Sequence, residues 1–295
     1  MKFLVFLLCV ALPSISMNKE MKNLDRAKKK IEVIISATQG TYAVVMKDLR
    51  TDESLFINER EIFHAASTMK TPVMVEIFNQ VEQKKFSLED SVDVVNTFKS
   101  IIDGSPYTMD ISEDSDDHLY DRIGKKETVR SLMEKMITVS SNLATNILIE
   151  KVDPQNVMKT MKAFGMNDIQ VLRGVEDGKA FQARKNNVTT AFDLALLFEK
   201  IAAGKCISAT ASKEMVDILR RQKFKIMIPA LLPDNVIVAH KTGSITNVQH
   251  DTGIVYLPDG HTYVLVILSK NLKSNAMGID CIARISRVIY DYCSE

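Results

Sequence analysis

The sequence predicts an α+β fold, with strands gathered at the two ends of the chain and helices filling its middle. At the N-terminal end, Thr41–Met46 and Ser54–Ile57 are runs of strand-forming residues, and the polar segment Asp48–Glu53 between them makes a hairpin. Near the C-terminus, Val236–Ser244, Thr252–Leu257 and Tyr263–Leu268 repeat the pattern, and Pro258-Asp259-Gly260 supplies an explicit turn. Between these ends the apolar residues recur at helical spacing. Strands and helices segregated along a chain in this way define the α+β class.

Taken in order, Met1-Lys2 precedes an apolar run, Phe3–Leu12, and then Pro13-Ser14-Ile15-Ser16. The run is well short of the roughly 20 residues that span a bilayer, so a secretory signal peptide over residues 1–16 is expected, with Met17 as the first mature residue. The protein is then exported, to the periplasm or the medium. Cys9 follows Leu7 and Leu8 rather than small residues, which argues against a lipid anchor.

Met21–Ala37 suits an amphipathic helix that Gln39-Gly40 stops. A second helix is expected to begin near Ser67, a third to run over Thr128–Thr138, and a fourth to continue from Leu143 after a break at Val139-Ser140-Ser141-Asn142. Another is expected from about Asn187 to Ala203, with Gly204 as its C-cap, and a last one over Ala276–Tyr292. The stretch from Asp103 to Arg122, which holds Asp110, Glu113, Asp114, Asp116, Asp117 and Asp121, is expected to be a solvated loop, with a substrate-facing rim as the alternative.

Composition narrows the function classes. A net charge of +1 leaves no basic patch for nucleic acid or a membrane surface. The five histidines are scattered and no C-x-x-C occurs, so neither a metal nor another cofactor is expected. Cys206, Cys281 and Cys293 are an odd set in the mature chain, so at least one is unpaired within it. With 295 residues there is length for a sizeable core and for two domains.

Three constellations carry chemistry. In the first, Ser67 and Lys70 stand three residues apart at the start of an apolar segment; on a helix that is about 300° of rotation and about 4.5 Å of rise, so amine and hydroxyl share a face. A lysine whose pKa is depressed can take the proton from such a hydroxyl, and N–H groups at a helix start can stabilise the oxyanion that follows attack on a carbonyl. The same spacing at Ser16-Met17-Asn18-Lys19 shows how little the pair says alone. In the second, Ser140 and Asn142 lie in the turn between two helices, where both can lean into one cleft. The third is Lys241-Thr242-Gly243-Ser244 at the end of a strand, a cation and a hydroxyl beside a glycine that lets a ligand approach the backbone. Gly174-Val175-Glu176-Asp177-Gly178 adds a glycine-flanked loop with paired carboxylates.

S-x-x-K, S-x-N and K-T-G in this order resemble the class A serine β-lactamase family, and the likeness runs over almost all of the mature chain. It implies an antiparallel sheet flanked by N- and C-terminal helices, formed by residues 17–62 and 228–295, with an all-helical domain over 63–227. That is the β-lactamase/transpeptidase-like plan. It further implies that Ser67 attacks a lactam carbonyl, Lys70 takes its proton, Ser140 passes a proton to the departing nitrogen and Asn142 holds the substrate's side-chain amide. Lys241 and Thr242 would hold the substrate carboxylate, with the N–H groups of Ser67 and Ser244 as the oxyanion hole. Glu176, 36 residues after Ser140, resembles the base for deacylation. The expected partner is a β-lactam or a peptidoglycan-like small molecule, bound by a monomer.

The chain departs from the family at four points. Ala180 stands where an asparagine helps fix the hydrolytic water, so that Asp177, Asn186 or Asn187 would have to reach in to hold it, and Ser141 replaces the aspartate of the middle motif. No arginine lies between Gly243 and Gly253, and the 73 residues from Ser67 to Ser140 are more than the family leads one to expect. The alternatives kept open are a D-alanyl-D-alanine peptidase or related serine hydrolase, and a penicillin-binding sensor that stays acylated.

Overall fold

The structure, a computed structural model, describes residues 14–295, and their side chains from Asn23 onward. The expected leader, apart from its last three residues, lies outside the described residues. Five strands form one antiparallel sheet in the order Ser54–Ile57, Thr41–Asp48, Thr262–Lys270, Val248–Tyr256, Ile237–Ile245. The two ends of the chain therefore meet in the middle of the sheet, in register from Thr41 opposite Lys270 to Asp48 opposite Tyr263.

Alternate residues of these strands face two cores. On one side Val44, Met46, Leu265 and Ile267 pack against helices α1 (Ser14–Ser36) and α9 (Asn275–Cys293) through Ile31, Ile282 and Ile285. On the other, Ala43, Val45, Val264, Val266 and Leu268 join Val73, Leu194 and Phe198. Both faces being covered, the central strands are buried nearly end to end instead of alternating with water.

The second core is completed by α2 (Lys70–Glu82), α3 (Val129–Thr138), α4 (Asn142–Val152), α5 (Pro154–Ala163), the short α6 (Gly178–Gln182), α7 (Ala191–Ala202) and α8 (Ala209–Leu219). Most begin on a side-chain cap: Thr128 accepts from the Ser131 N–H, Ser141 from Ala144, Thr190 from Asp193 and Ser208 from Ala211. The helix expected from Asn187 begins only at Ala191, because Val188–Thr189 pairs as a strand with Phe63–His64 and Thr190 is needed as the cap. Likewise the helix expected near Ser67 opens as a 3-10 turn, Ala66–Met69, and becomes α-helical at Lys70.

The acidic stretch is not a simple solvated loop. Asp116 is buried and paired with Lys135 at 3.2 Å, Leu119 is fully buried, and Asp114 bonds the start of α4. Buried apolar residues at Met109 and Leu119 draw the segment against the helices, and its carboxylates follow to donors.

Candidate active site

Ser67 sits half exposed on its 3-10 turn, and the segment before it is pinned from several sides. The Ala65 N–H donates to Asn187 O (2.8 Å), and the Ala66 N–H donates to His64 Nδ1 (3.0 Å). His250, fully buried on the Val248–Tyr256 strand, reaches the His64 carbonyl with Nε2 at 2.8 Å. Burial pushes the His250 imidazole down to about 4, which favours the neutral ring, and its Nδ1 lies 2.9 Å from Gln249 O and 3.1 Å from the Ser269 nitrogen. Ala66 itself is left-handed, at φ 44°. Gly243 of the K-T-G strand closes on the same turn: a Cβ there would lie 3.2 Å from the backbone nitrogens of Ser67 and Thr68. Only glycine lets strand and turn come this close without a shift.

The two lysines meet at Ser140. Lys70, wholly buried, donates through Nζ to Ser140 O (2.7 Å), Ser140 Oγ (3.2 Å) and Asn142 Oδ1 (2.9 Å). Lys241 Nζ lies 3.0 Å from the same Ser140 Oγ and 2.8 Å from Thr242 O. Burial pushes the Lys70 amine down to about 7, against the opposing pull of Asp114 and Glu176. The Lys241 amine is driven well below the ordinary lysine range by burial and then by Lys70. An amine near neutrality is a competent base, which an ordinary ammonium is not. No hydrogen bond joins Ser67 Oγ to Lys70; the buried amine spends its protons on acceptors in the α3–α4 turn, since a buried polar group needs partners. Ser140 is held left-handed at φ 61°.

Glu176 faces this cluster from a loop that is also strained, at φ 63°. Its Oε1 accepts from Asn142 Nδ2 (3.0 Å) and its Oε2 from the Asp110 N–H (3.2 Å), while burial raises its pKa. Left-handed conformations at Ala66, Ser140 and Glu176 each cost on the order of 1 kcal/mol, and such strain gathers where geometry is imposed for function.

The Glu176 loop is stapled at both ends. Asn146 on α4 accepts the Val175 N–H (2.7 Å) and donates to Val175 O (3.0 Å); a Cβ on Gly174 would strike its Oδ1 at 2.3 Å. Asn187 accepts the N–H groups of Leu172 and Arg173 and donates to Arg173 O. Asp177 accepts from Ser100 Oγ, Ile101 N–H and Ala180 N–H, tying the loop to residues 100–105.

Thus Lys70, Lys241 and Asn142 meet around Ser140, Glu176 joins them through Asn142, and Gly243 closes on the Ser67 turn, while the Thr242 carbonyl accepts from Lys241 and the Ser244 hydroxyl accepts from Gln249. Sequence reasoning missed the parts played by Asp110, Asp114, Asn146 and His250; Asn187, which the sequence offers as a holder of the hydrolytic water, braces Leu172 and Arg173 instead. Asn146 carried a signal, a polar residue on the inner face of an apolar helix; a backbone N–H such as that of Asp110 carries none. Among the described residues, Asp48, His261 and Cys293 are the cluster whose ligand atoms could hold a metal ion. It lies on the α9 side of the sheet, and His261 already has both nitrogens engaged, by Asp48 Oδ2 at 2.7 Å and Cys293 O at 2.9 Å. Cys206, Cys281 and Cys293 are all buried and free.

A sheet between terminal helices and a helical layer, with two buried lysines converging on one serine beside another, defines a serine acyl-transfer enzyme. Residues 26–293 match the Beta-lactamase enzyme family, and the chain belongs to that family, in its class A serine branch. It is 24% identical over 278 residues to the extended-spectrum β-lactamase PER-1 of Pseudomonas aeruginosa, covering 90% of this chain and 86% of that one. Among solved structures, the β-lactamase of Sphaerobacter thermophilus matches with a TM-score of 0.79 at 25% identity, over 92% of this chain and 97% of the other. PBP-A matches with a TM-score of 0.77 at 25% identity, over 90% and 95%.

Proposed function

We propose that this chain is an exported, monomeric serine hydrolase that opens β-lactam rings through an acyl-enzyme on Ser67. The observation that carries the reading is the convergence of the Lys70 and Lys241 amines, at 3.2 and 3.0 Å, on one Ser140 hydroxyl in the cleft that opens at Ser67. In the proposed sequence, neutral Lys70 takes the Ser67 proton as Oγ attacks the lactam carbonyl, and the N–H groups of Ser67 and Ser244 bind the oxyanion. The C–N bond then breaks, and the departing nitrogen takes a proton from Ser140, which is resupplied from the lysine pair. Lys241, Thr242 and the backbone at Gly243 hold the substrate carboxylate, and Asn142 holds its side-chain amide. A water deprotonated by Glu176 releases the acyl group. The sheet with its terminal helices (17–62 and 228–295) carries Lys241, Thr242 and Ser244, the helical portion (63–227) carries Ser67, Lys70, Ser140, Asn142 and Glu176, and the cleft lies between them. Cleavage after Ser16 would leave the mature chain without its apolar leader, and among the described residues no helix is long and apolar enough to cross a membrane.

Slow deacylation is part of the reading. Ala180 has no side-chain donor for the water, and the three residues that could replace it are committed elsewhere: Asp177 to Ser100, Ile101 and Ala180, Asn187 to Leu172 and Arg173, and Asn186 to Arg173. The same observation favours, as a second reading, a penicillin-binding module that stays acylated; a point mutant of the similar PBP-A was solved as an acyl-enzyme complex with penicillin G. Mixing the purified chain with a chromogenic cephalosporin tests both. A burst with slow turnover and an adduct lost in Ser67→Ala supports the hydrolase, and a permanent adduct supports the sensor. An adduct that survives Ser67→Ala removes Ser67 as nucleophile.

A further inference from the structure

The side-chain amide of Asn142 joins the two halves of the proposed reaction. Its Oδ1 accepts from Lys70 Nζ at 2.9 Å, and its Nδ2 donates to Glu176 Oε1 at 3.0 Å and to Glu113 O at 3.3 Å. A residue with that many duties at the first position of a helix needs its backbone fixed, and its own motif does not do this. Ser141 spends its hydroxyl on the Ala144 N–H, at 3.2 Å, which leaves the first two N–H groups of α4 without a partner inside the helix.

The acidic stretch supplies the missing acceptor. Asp114 Oδ1 takes the Asn142 N–H at 2.9 Å and Oδ2 takes the Leu143 N–H at 2.7 Å, one carboxylate gripping both. Tyr120 Oη donates to Oδ2 at 3.2 Å and the Asp116 N–H to Oδ1 at 3.1 Å, so the carboxylate is fixed from its own side as well. Because Glu113 O accepts from the Asn142 amide, residues 113–114 hold that asparagine by main chain and side chain together. An anion at a helix N-terminus is also where the helix dipole favours one. Position 141 is a serine where the family's motif carries an aspartate, and Asp114 brings a carboxylate to the same helix start from 28 residues upstream.

We propose that Asp114 is a positioning residue: it sets the Asn142 amide between Lys70 and Glu176, in place of the carboxylate that the middle motif lacks. This rests on the proposed acylation of Ser67. A cap of ordinary kind would affect only stability; a positioning residue acts on rate through Asn142, and because the Asp114 charge also pulls on the Lys70 amine, the rates are compared on the plateau above about pH 7, where Lys70 is neutral in every variant.

The test is a double-mutant cycle on the full chain, reading the acylation rate with a chromogenic cephalosporin and the thermal midpoint in parallel. Asp114→Ala is expected to slow acylation about tenfold to a hundredfold, the cost of misplacing a group by about 1 Å. Asn142→Ala is expected to slow it at least as much, and the double variant no more than Asn142→Ala alone. Rate losses that multiply, or wild-type acylation in Asp114→Ala, overturn the proposal. Should Asp114→Ala not fold, the near-isosteric Asp114→Asn enters the same cycle under the same criteria. A wild-type chain that forms no adduct removes the reading of function instead; the Asn142 side-chain amide resonances then decide. A shifted, slowly exchanging pair that averages in Asp114→Asn supports positioning, and a pair unmoved by that substitution overturns it.

Discussion

The two walls of the cleft are built differently. On one, Ser67, Lys70, Ser140 and Lys241 stand on a 3-10 turn running into α2, on the α3–α4 turn and on a strand in the sheet, each braced by a hydrophobic core. On the other, Glu176 stands on a loop whose place is set by buried polar bonds to Asn146, Asn187 and Asp177 and by the acidic stretch. The groups proposed for acylation thus stand on elements braced by packing as well as by hydrogen bonds, whereas the group proposed for deacylation is held mainly by hydrogen bonds. Packing distributes its effect over many small contacts, whereas a buried polar clamp concentrates it in a few atoms whose loss leaves unpaired partners. The two half-reactions should therefore differ in how sharply single substitutions separate them.

The largest separation is expected at Glu176. Glu176→Gln keeps the side chain's shape and can still accept from Asn142 Nδ2, giving up the Asp110 N–H, but it removes the base, so acylation should stay within a few fold while the adduct becomes stable, seen as a burst with no following turnover and a persistent mass increase. Equal loss in both phases would show that the walls are not separable. Next comes Asn146→Ala. It unpairs the Val175 N–H, at about 1–3 kcal/mol for a buried group left unsatisfied, leaves the Val175 carbonyl with the Tyr107 hydroxyl alone, and lets Glu176 drift. Deacylation should fall about a hundredfold, as for a displacement of about 1 Å, with burst amplitude preserved. Loss of the burst itself would mean that the loop supports Ser67 as well, through the Asn187 O to Ala65 N–H bond.

A smaller effect, in pH, sharpens the same contrast. Lys70 must be neutral to take the Ser67 proton, and with its amine pushed down to about 7 the neutral fraction is lost as pH falls through that value. Acylation should fall below about pH 7 and level off above it. Deacylation needs Glu176 ionised, and burial raises its pKa from the ordinary carboxylate value, so its limb should lie above that value. Stopped-flow traces across the range separate the two limbs; an acylation rate flat through neutrality would exclude Lys70 as the base.

How much of this was legible follows the same division. The strands around Val45 and Val266, the hairpin turns and the motifs at Ser67, Ser140 and Lys241 announce themselves, because periodicity, turn chemistry and motif spacing are local properties of a sequence. Asp114 and Asp110 were hidden in a run of six acidic residues that reads as solvent-facing. Their roles depend on which backbone N–H groups lie across from them, Asn142 and Leu143 for one carboxylate and Glu176 for one main-chain donor. The burial of the Lys70 amine was not legible, nor was its hold on the α3–α4 turn, because Ser140 O, Ser140 Oγ and Asn142 Oδ1 come from residues 70 to 72 positions away.

The smallest expected effect lies on the loop itself, where two ties to residues 100–105 run side by side. Asp177 is buried and accepts from Ser100 and Ile101, whereas Lys179 reaches Asp103 at 2.6 Å and Ser105 at 2.7 Å with about half of each charged side chain in water. By distance the lysine pair is the shorter tie, and Lys179 with Ser105 holds the Asp103 carboxyl below its usual range. Both charges remain hydrated, however, so their attraction is screened and ordering two long side chains offsets much of it. Lys179→Ala should leave the thermal midpoint and both half-reactions within twofold of wild type, in high salt and low alike. Asp177→Ala unpairs the Ser100 hydroxyl and two backbone N–H groups away from water and should slow deacylation while sparing the burst. If Lys179→Ala matches Asp177→Ala at low salt and recovers at high salt, the loop is held by charge across its surface rather than by its buried bonds, and the contrast between the walls must be redrawn as one of exposure.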